Sequence, residues 1–123
     1  MTVFHAADGA VFDAHGSRFT SYVAPSRGSD QLCAWRLEVP AGLQGVAHRP
    51  NREEVLLVLV GELHLTIDGD RSVLRHGDVA LVPANSSFRV DAGPVGAAAW
   101  VTTSTGLEAV TEDGTRIRPP WAG

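Results

Sequence analysis

No lysine occurs anywhere in the chain: all ten basic residues are arginine, which is read as the composition of a GC-rich bacterial genome rather than as chemistry. Cysteine is nearly absent too. A single Cys33 excludes an intramolecular disulfide and cannot alone form a thiolate metal cluster. Its alternation with Trp35 and Leu37 makes it a small buried hydrophobe. Positive charge is in deficit, with a net charge of -4, so no surface for nucleic acid is expected. Long apolar runs are missing. The longest, Val55 to Val60, has six residues, against the ~20 that a membrane-spanning helix needs. No basic stretch followed by an apolar one opens the chain, so neither secretion nor a membrane is expected and the cytoplasm is the expected location. Asn85-Ser86-Ser87 fits the glycosylation pattern but has no route to the modification without secretion. A Gly-rich phosphate loop, a GxSxG elbow, an HExxH helix and a CxxC pair are also lacking, which leaves those chemistries without a motif.

What is present is a rhythm of short segments rich in β-branched and aromatic residues: 18–23, 32–39, 54–60, 62–67, 72–74, 79–82, 88–90 and 97–103. Thirteen glycines and seven prolines punctuate them. Asp68-Gly69 falls between two such runs, as a hairpin turn with positive φ requires. Only Gly106 to Glu112 could form a helical turn, and strand or loop serves as well there. A chain of 123 residues makes one domain, 1–123, that buries roughly two-thirds of its unfolded surface. Eight or so short antiparallel strands fit either an immunoglobulin-like sandwich or a jelly roll. The Cys-Trp-Cys signature of the first is missing.

Two stretches decide between them. Gly42 to Gly61 reads G-LQGVA-H-R-P-NRE-E-VLLVLV-G, and Gly77 to Ala92 reads G-DVALV-P-A-N-SS-F-RVD-A. The first resembles the cupin motif G-x5-H-x-H-x3-E-x6-G at every fixed position but one, where Pro50 replaces the second histidine. The second resembles G-x5-P-x-G-x2-H-x3-N in its Gly77 and Pro83, with Phe88 in place of the histidine. The resemblance implies an all-β cupin jelly-roll barrel whose two motifs line one end of a small-molecule cavity. It also implies that two of four customary metal ligands have been lost, leaving His48 and Glu54. Two ligands make a weak trap for an ion, so no cofactor is expected beyond weak or adventitious divalent metal. The remaining histidines, His5, His15, His64 and His76, are read as surface or loop residues.

If His48 and Glu54 face inward, period two also sends Pro50, Leu56 and Val58 to the cavity and Val55, Leu57 and Leu59 outward. An outward apolar stripe on a small barrel calls for a cover, and a homodimer is expected. Trp35, Phe88 and Trp100 are expected to complete the ligand pocket. Arg49 or Arg52 could reach its mouth and meet an anion, although the spacing does not demand it. Trp121, following Pro119 and Pro120, is expected to dock on its own barrel or on a partner chain. A carboxylate in an apolar barrel needs a partner or a proton. His48 and Glu54 are therefore candidates for a hydrogen-bonded acid–base dyad, or for a polar anchor without catalysis. Three functions stay open: a metal-free binding protein for a small, largely apolar metabolite; a metal-independent isomerase, epimerase or cyclase working through His48 and Glu54; and a metal-dependent oxygenase or isomerase completed by a third ligand.

Overall fold

The computed structural model describes all 123 residues, Met1–Gly123. It is built from ten strands: β1 (Ala10–Ala14), β2 (Ser17–Val23), β3 (Leu32–Val39), β4 (His48–Pro50), β5 (Glu54–Ile67), β6 (Asp70–Leu74), β7 (Val79–Val82), β8 (Phe88–Ser104), β9 (Ala109–Thr111) and β10 (Arg116–Ile117). Every ladder is antiparallel. The strands run in the order β1-β2-β3-β8-β4-β9-β10, while β5 pairs with β6, β7 and β8. The sheet thereby curls into the expected jelly roll. No helix is long and apolar enough to cross a membrane.

Four of the expected runs are fused into two long strands, β5 and β8, and the fusion has a local cause. At Gly61 the chain adopts φ 76°, and an added Cβ would lie 2.1 Å from the Gly96 carbonyl oxygen, so only glycine fits. The pairing register shifts between Val58 and Val60 and again between Gly61 and Leu63. This bulge bends the strand without ending it and throws Val60 outward. Beyond it the parity resets, so that Leu63 and Leu65 are buried.

Turn chemistry accounts for both tight hairpins. Asp68 and Gly69 have φ 48° and 86°, as expected for a two-residue turn of the primed type. His15 and Gly16 repeat the device at φ 53° and 78° and join β1 to β2. The stretch from Gly106 to Glu112 is no helix but a loop leading into β9.

Alternating residues of β3, β5 and β8 fill the interior: Cys33, Trp35, Leu37 and Val39; Leu56, Val58, Leu63 and Leu65; Ala99 and Val101. Trp121, in the final 3-10 turn Pro120–Ala122, joins the same core. Its ring stacks on Phe19 at 3.7 Å between centroids with an 11° interplanar angle. The Ser21 hydroxyl donates to the Trp121 carbonyl at 2.6 Å, and the Cys33 thiol donates to that of Ala122 at 3.3 Å. Of the two docking places expected for Trp121, the structure shows its own barrel.

Candidate functional site

The barrel encloses a cavity of about 620 Å³, within the range of small-molecule sites, and 14 of its 25 lining residues are hydrophobic. Buried side chains form its depth: Trp35 and Leu37 from β3, Pro50 from β4, Glu54 and Leu56 from β5, Phe88 and Val101 from β8, and Trp121. Exposed residues form its mouth: His15 in the β1–β2 turn, and Glu112, Asp113 and Thr115 in the turn from β9 to β10.

Six of the eight expected pocket residues line this cavity: Trp35, His48, Pro50, Glu54, Leu56 and Phe88. Two do not. Val58 faces inward and is buried, but packing against the rest of the core leaves it no share of the cavity wall. Trp100 lies between the inward-facing Ala99 and Val101, so strand alternation turns it to the outer face, tilted against Tyr22 at 5.8 Å. The two arginines considered for the mouth are also committed elsewhere. Arg49 Nη1 donates to the Asn85 carbonyl at 2.9 Å, and Arg52 Nε to that of Thr105 at 3.2 Å.

Glu54, the first residue of β5, is 5% exposed, and its carboxyl forms no hydrogen bond or ion pair with another protein group. Burial alone pushes its carboxyl pKa up to about 7, because the ionised form loses its water and gains no cation. His48 does not supply the missing partner. Its Nδ1 lies 3.0 Å from the Val46 carbonyl, which accepts a hydrogen bond there only if Nδ1 carries the proton, and its ring tilts against Phe88 at 4.7 Å. Of the two alternatives for His48 and Glu54, the hydrogen-bonded dyad is therefore not formed, since the ring is turned to the Val46 carbonyl. Burial lowers the His48 pKa, the Val46 hydrogen bond opposes this, and the nearby His15 adds to the lowering. The net shift favours the neutral imidazole, and with Nδ1 donating to Val46 its Nε2 lone pair is left over.

Further wall residues were not named from sequence. Phe19 and Trp121 supply a stacked aromatic pair, and the Trp35 indole N–H is buried with no acceptor. At the mouth, hydrogen bonds from the Thr111 hydroxyl, then from Thr115, hold the Asp113 carboxyl down to about 2. His15 reaches the mouth because His-Gly turns β1 back along β2; that dipeptide between two β-type runs was the available signal. His64 faces outward as expected, yet is only 17% exposed. Arg71 donates to its Nδ1 at 2.5 Å, so Nε2 carries the proton and donates to Glu62 at 3.2 Å.

A metal of the kind implied by the motif resemblance does not fit these residues. No three His, Cys, Asp or Glu side chains gather anywhere, proline has no side-chain donor at position 50, and the Phe88 ring fills the other position.

The cupin domain family matches residues 35–103, more than half of the chain. This protein belongs to the cupin family. A cupin from Shewanella frigidimarina, described as RmlC-like, superposes with a TM-score of 0.72 at 24% identity, over 82% of this chain and 87% of that one. The polyketide cyclase RemF from Streptomyces resistomycificus gives 0.74 at 16% identity, over 85% and 78%. A salicylate 1,2-dioxygenase from Pseudaminobacter salicylatoxidans gives 0.72 at 19% identity, but this cupin spans only 32% of that enzyme. At these identities the likeness is one of fold. Among curated proteins, a Myxococcus xanthus protein named endoribonuclease YbeY is 36% identical over 69 residues. The match takes 55% of the cupin and 24% of the longer protein, so the cupin spans about a quarter of that relative.

Proposed function

We propose that this cupin binds a small, largely apolar, ring-containing molecule inside its barrel, with the Glu54 carboxyl as the buried hydrogen-bonding anchor and no resident metal. The observation that carries this reading is Glu54 itself: a carboxyl without a protein partner, placed on the wall of an aromatic-lined cavity. Buried polar groups without partners cost free energy, and a ligand hydroxyl or carbonyl would meet that need. A structural neighbour named as a polyketide cyclase is compatible with a ligand of this shape.

The test uses 2-naphthol as probe in titration calorimetry at pH 7. Saturable binding of one molecule per chain is expected, and Glu54→Leu should weaken it about tenfold, the worth of one hydrogen bond. Absence of binding, or an unchanged affinity in E54L, overturns the reading.

A second reading is metal-independent acid–base chemistry, favoured by a carboxyl poised near neutral pH in the same cavity as a neutral imidazole. The two groups would act as separate proton donor and acceptor on one ligand rather than as a bonded pair, as an isomerase, epimerase or cyclase requires.

The outward stripe supports pairing with a second copy of the chain. Val55 and Leu57 of β5 lie beside Leu81 and Val79 of β7, and Val55, Val79 and Leu81 are exposed. An exposed apolar sheet face of this kind can meet its own copy across a two-fold axis. Light scattering at micromolar concentration should return twice the chain mass, and Leu81→Glu should return it to one; a wild-type mass equal to one chain removes the dimer.

A further inference from the structure

We infer that the cavity discriminates by charge: it rejects anions and takes a neutral or cationic ligand that is polar at both ends and apolar between them. This rests on the proposed binding role of the cavity and names the ligand class.

The lining contains three carboxyl groups, those of Glu54, Glu112 and Asp113, and neither arginine nor lysine. Its two histidines, His15 and His48, are the only lining side chains able to carry positive charge, and burial works against the charged form of the second. Arg116 and Arg118, the arginines that flank the lining residue Ile117 beside the mouth, are exposed and line no part of it. Arg118 Nε donates to Glu108 at 2.6 Å. An anion entering between the aromatic walls would lose its water, meet no guanidinium and pass the carboxylates of Glu112 and Asp113 at the mouth. Each of those conditions raises the cost of a buried negative charge. A neutral hydroxyl meets the opposite situation. Glu54 can accept from it at the inner end, and a second donor, hydroxyl or ammonium, finds Glu112 and Asp113 at the outer end. The ring surfaces of Phe88 and Trp121 hold the apolar middle.

Three probes of one shape test this at pH 7: 2-naphthol, 2-naphthylmethylammonium and 2-naphthoate, each titrated calorimetrically into the full chain. Site placement is read from the indole N–H resonances, since Trp35 and Trp121 line the cavity and Trp100 lies outside it as an internal control. Binding of the alcohol and the ammonium compound at least tenfold more tightly than the carboxylate, with shifts at Trp35 and Trp121, is the expected result. Glu112→Arg, on an exposed turn, should raise the affinity for 2-naphthoate and narrow the gap to within about threefold. Naphthoate bound as tightly as naphthol, with the same two indoles shifted, overturns the charge selectivity and leaves the binding role intact. Failure of all three probes to move Trp35 or Trp121 removes the binding role, and this inference with it.

Discussion

Replacing Trp121 by alanine is expected to destabilise this cupin by about 3–5 kcal/mol, the usual cost of removing a large buried aromatic side chain. The ring is 6% exposed and lies almost flat on Phe19, an arrangement that adds to simple burial. Its backbone is tied in as well. The carbonyls of Trp121 and Ala122 accept from Ser21 and Cys33, and that of Gly123 accepts from the Ser26 amide at 3.2 Å and the Ser26 hydroxyl at 2.7 Å. Removing the ring therefore deletes one wall of the cavity and the contact that orients these bonds. The space left is continuous with an existing cavity that opens to solvent, so water can enter it, which favours the lower end of the range. Urea denaturation of W121A against wild type measures the loss from the shifted midpoint at constant slope. A loss below about 1 kcal/mol would mean that the C-terminal segment does not hold the barrel closed. Trp121→Phe keeps a ring over Phe19 and should recover most of the difference.

The parts of this molecule that could be read in advance are those fixed by neighbours in sequence. Alternation from Glu54 through Leu56 to Val58 follows from backbone geometry, and Asp68-Gly69 makes its turn with local dihedral angles alone. His48, Pro50, Glu54 and Phe88 were placed by motif spacing, and all four reach the cavity. What escaped depends on pairing across the sheet. On β8 the alternatives Ala97-Ala99-Val101 and Ala98-Trp100-Thr102 are both acceptable inward sets until the pairing of Trp100 with Arg36 and Leu57 shows which set is outside. Size favoured tryptophan as a wall, and parity overruled it. Trp121 meets Phe19 across about a hundred residues of sequence, so no local pattern reports their contact. The dyad failed for a related reason. Two residues that share a cavity need not share a hydrogen bond, and His48 meets the Val46 carbonyl rather than Glu54.

Glu54→Gln is expected to stabilise the folded chain by about 3 kcal/mol at pH 8 and to change it little at pH 4. Burial raises the Glu54 pKa from 4.5 to about 7, which reverses the behaviour of a carboxylate held by an arginine. Below pH 4.5 the group is protonated in both the folded and the unfolded chain, and its titration contributes no cost. Between pH 4.5 and 7 the unfolded chain releases this proton while the folded chain keeps it, so stability falls as pH rises, by about 1.4 kcal/mol per unit. Above pH 7 the folded chain holds a buried carboxylate without a cation, and the penalty is complete. Glutamine preserves shape and polarity but cannot ionise, so the difference between E54Q and wild type isolates this one group from all other titrations. Denaturation curves for both proteins from pH 4 to pH 8 should diverge through that window, with wild type the less stable at the alkaline end. Parallel curves would mean that the carboxylate has found a cation or water the barrel does not display, and Glu54 would lose its standing as the unpartnered anchor. A divergence of the opposite sign, with wild type gaining on E54Q as pH rises, would require a positive partner at Glu54, and the negative character of the cavity would fall with it.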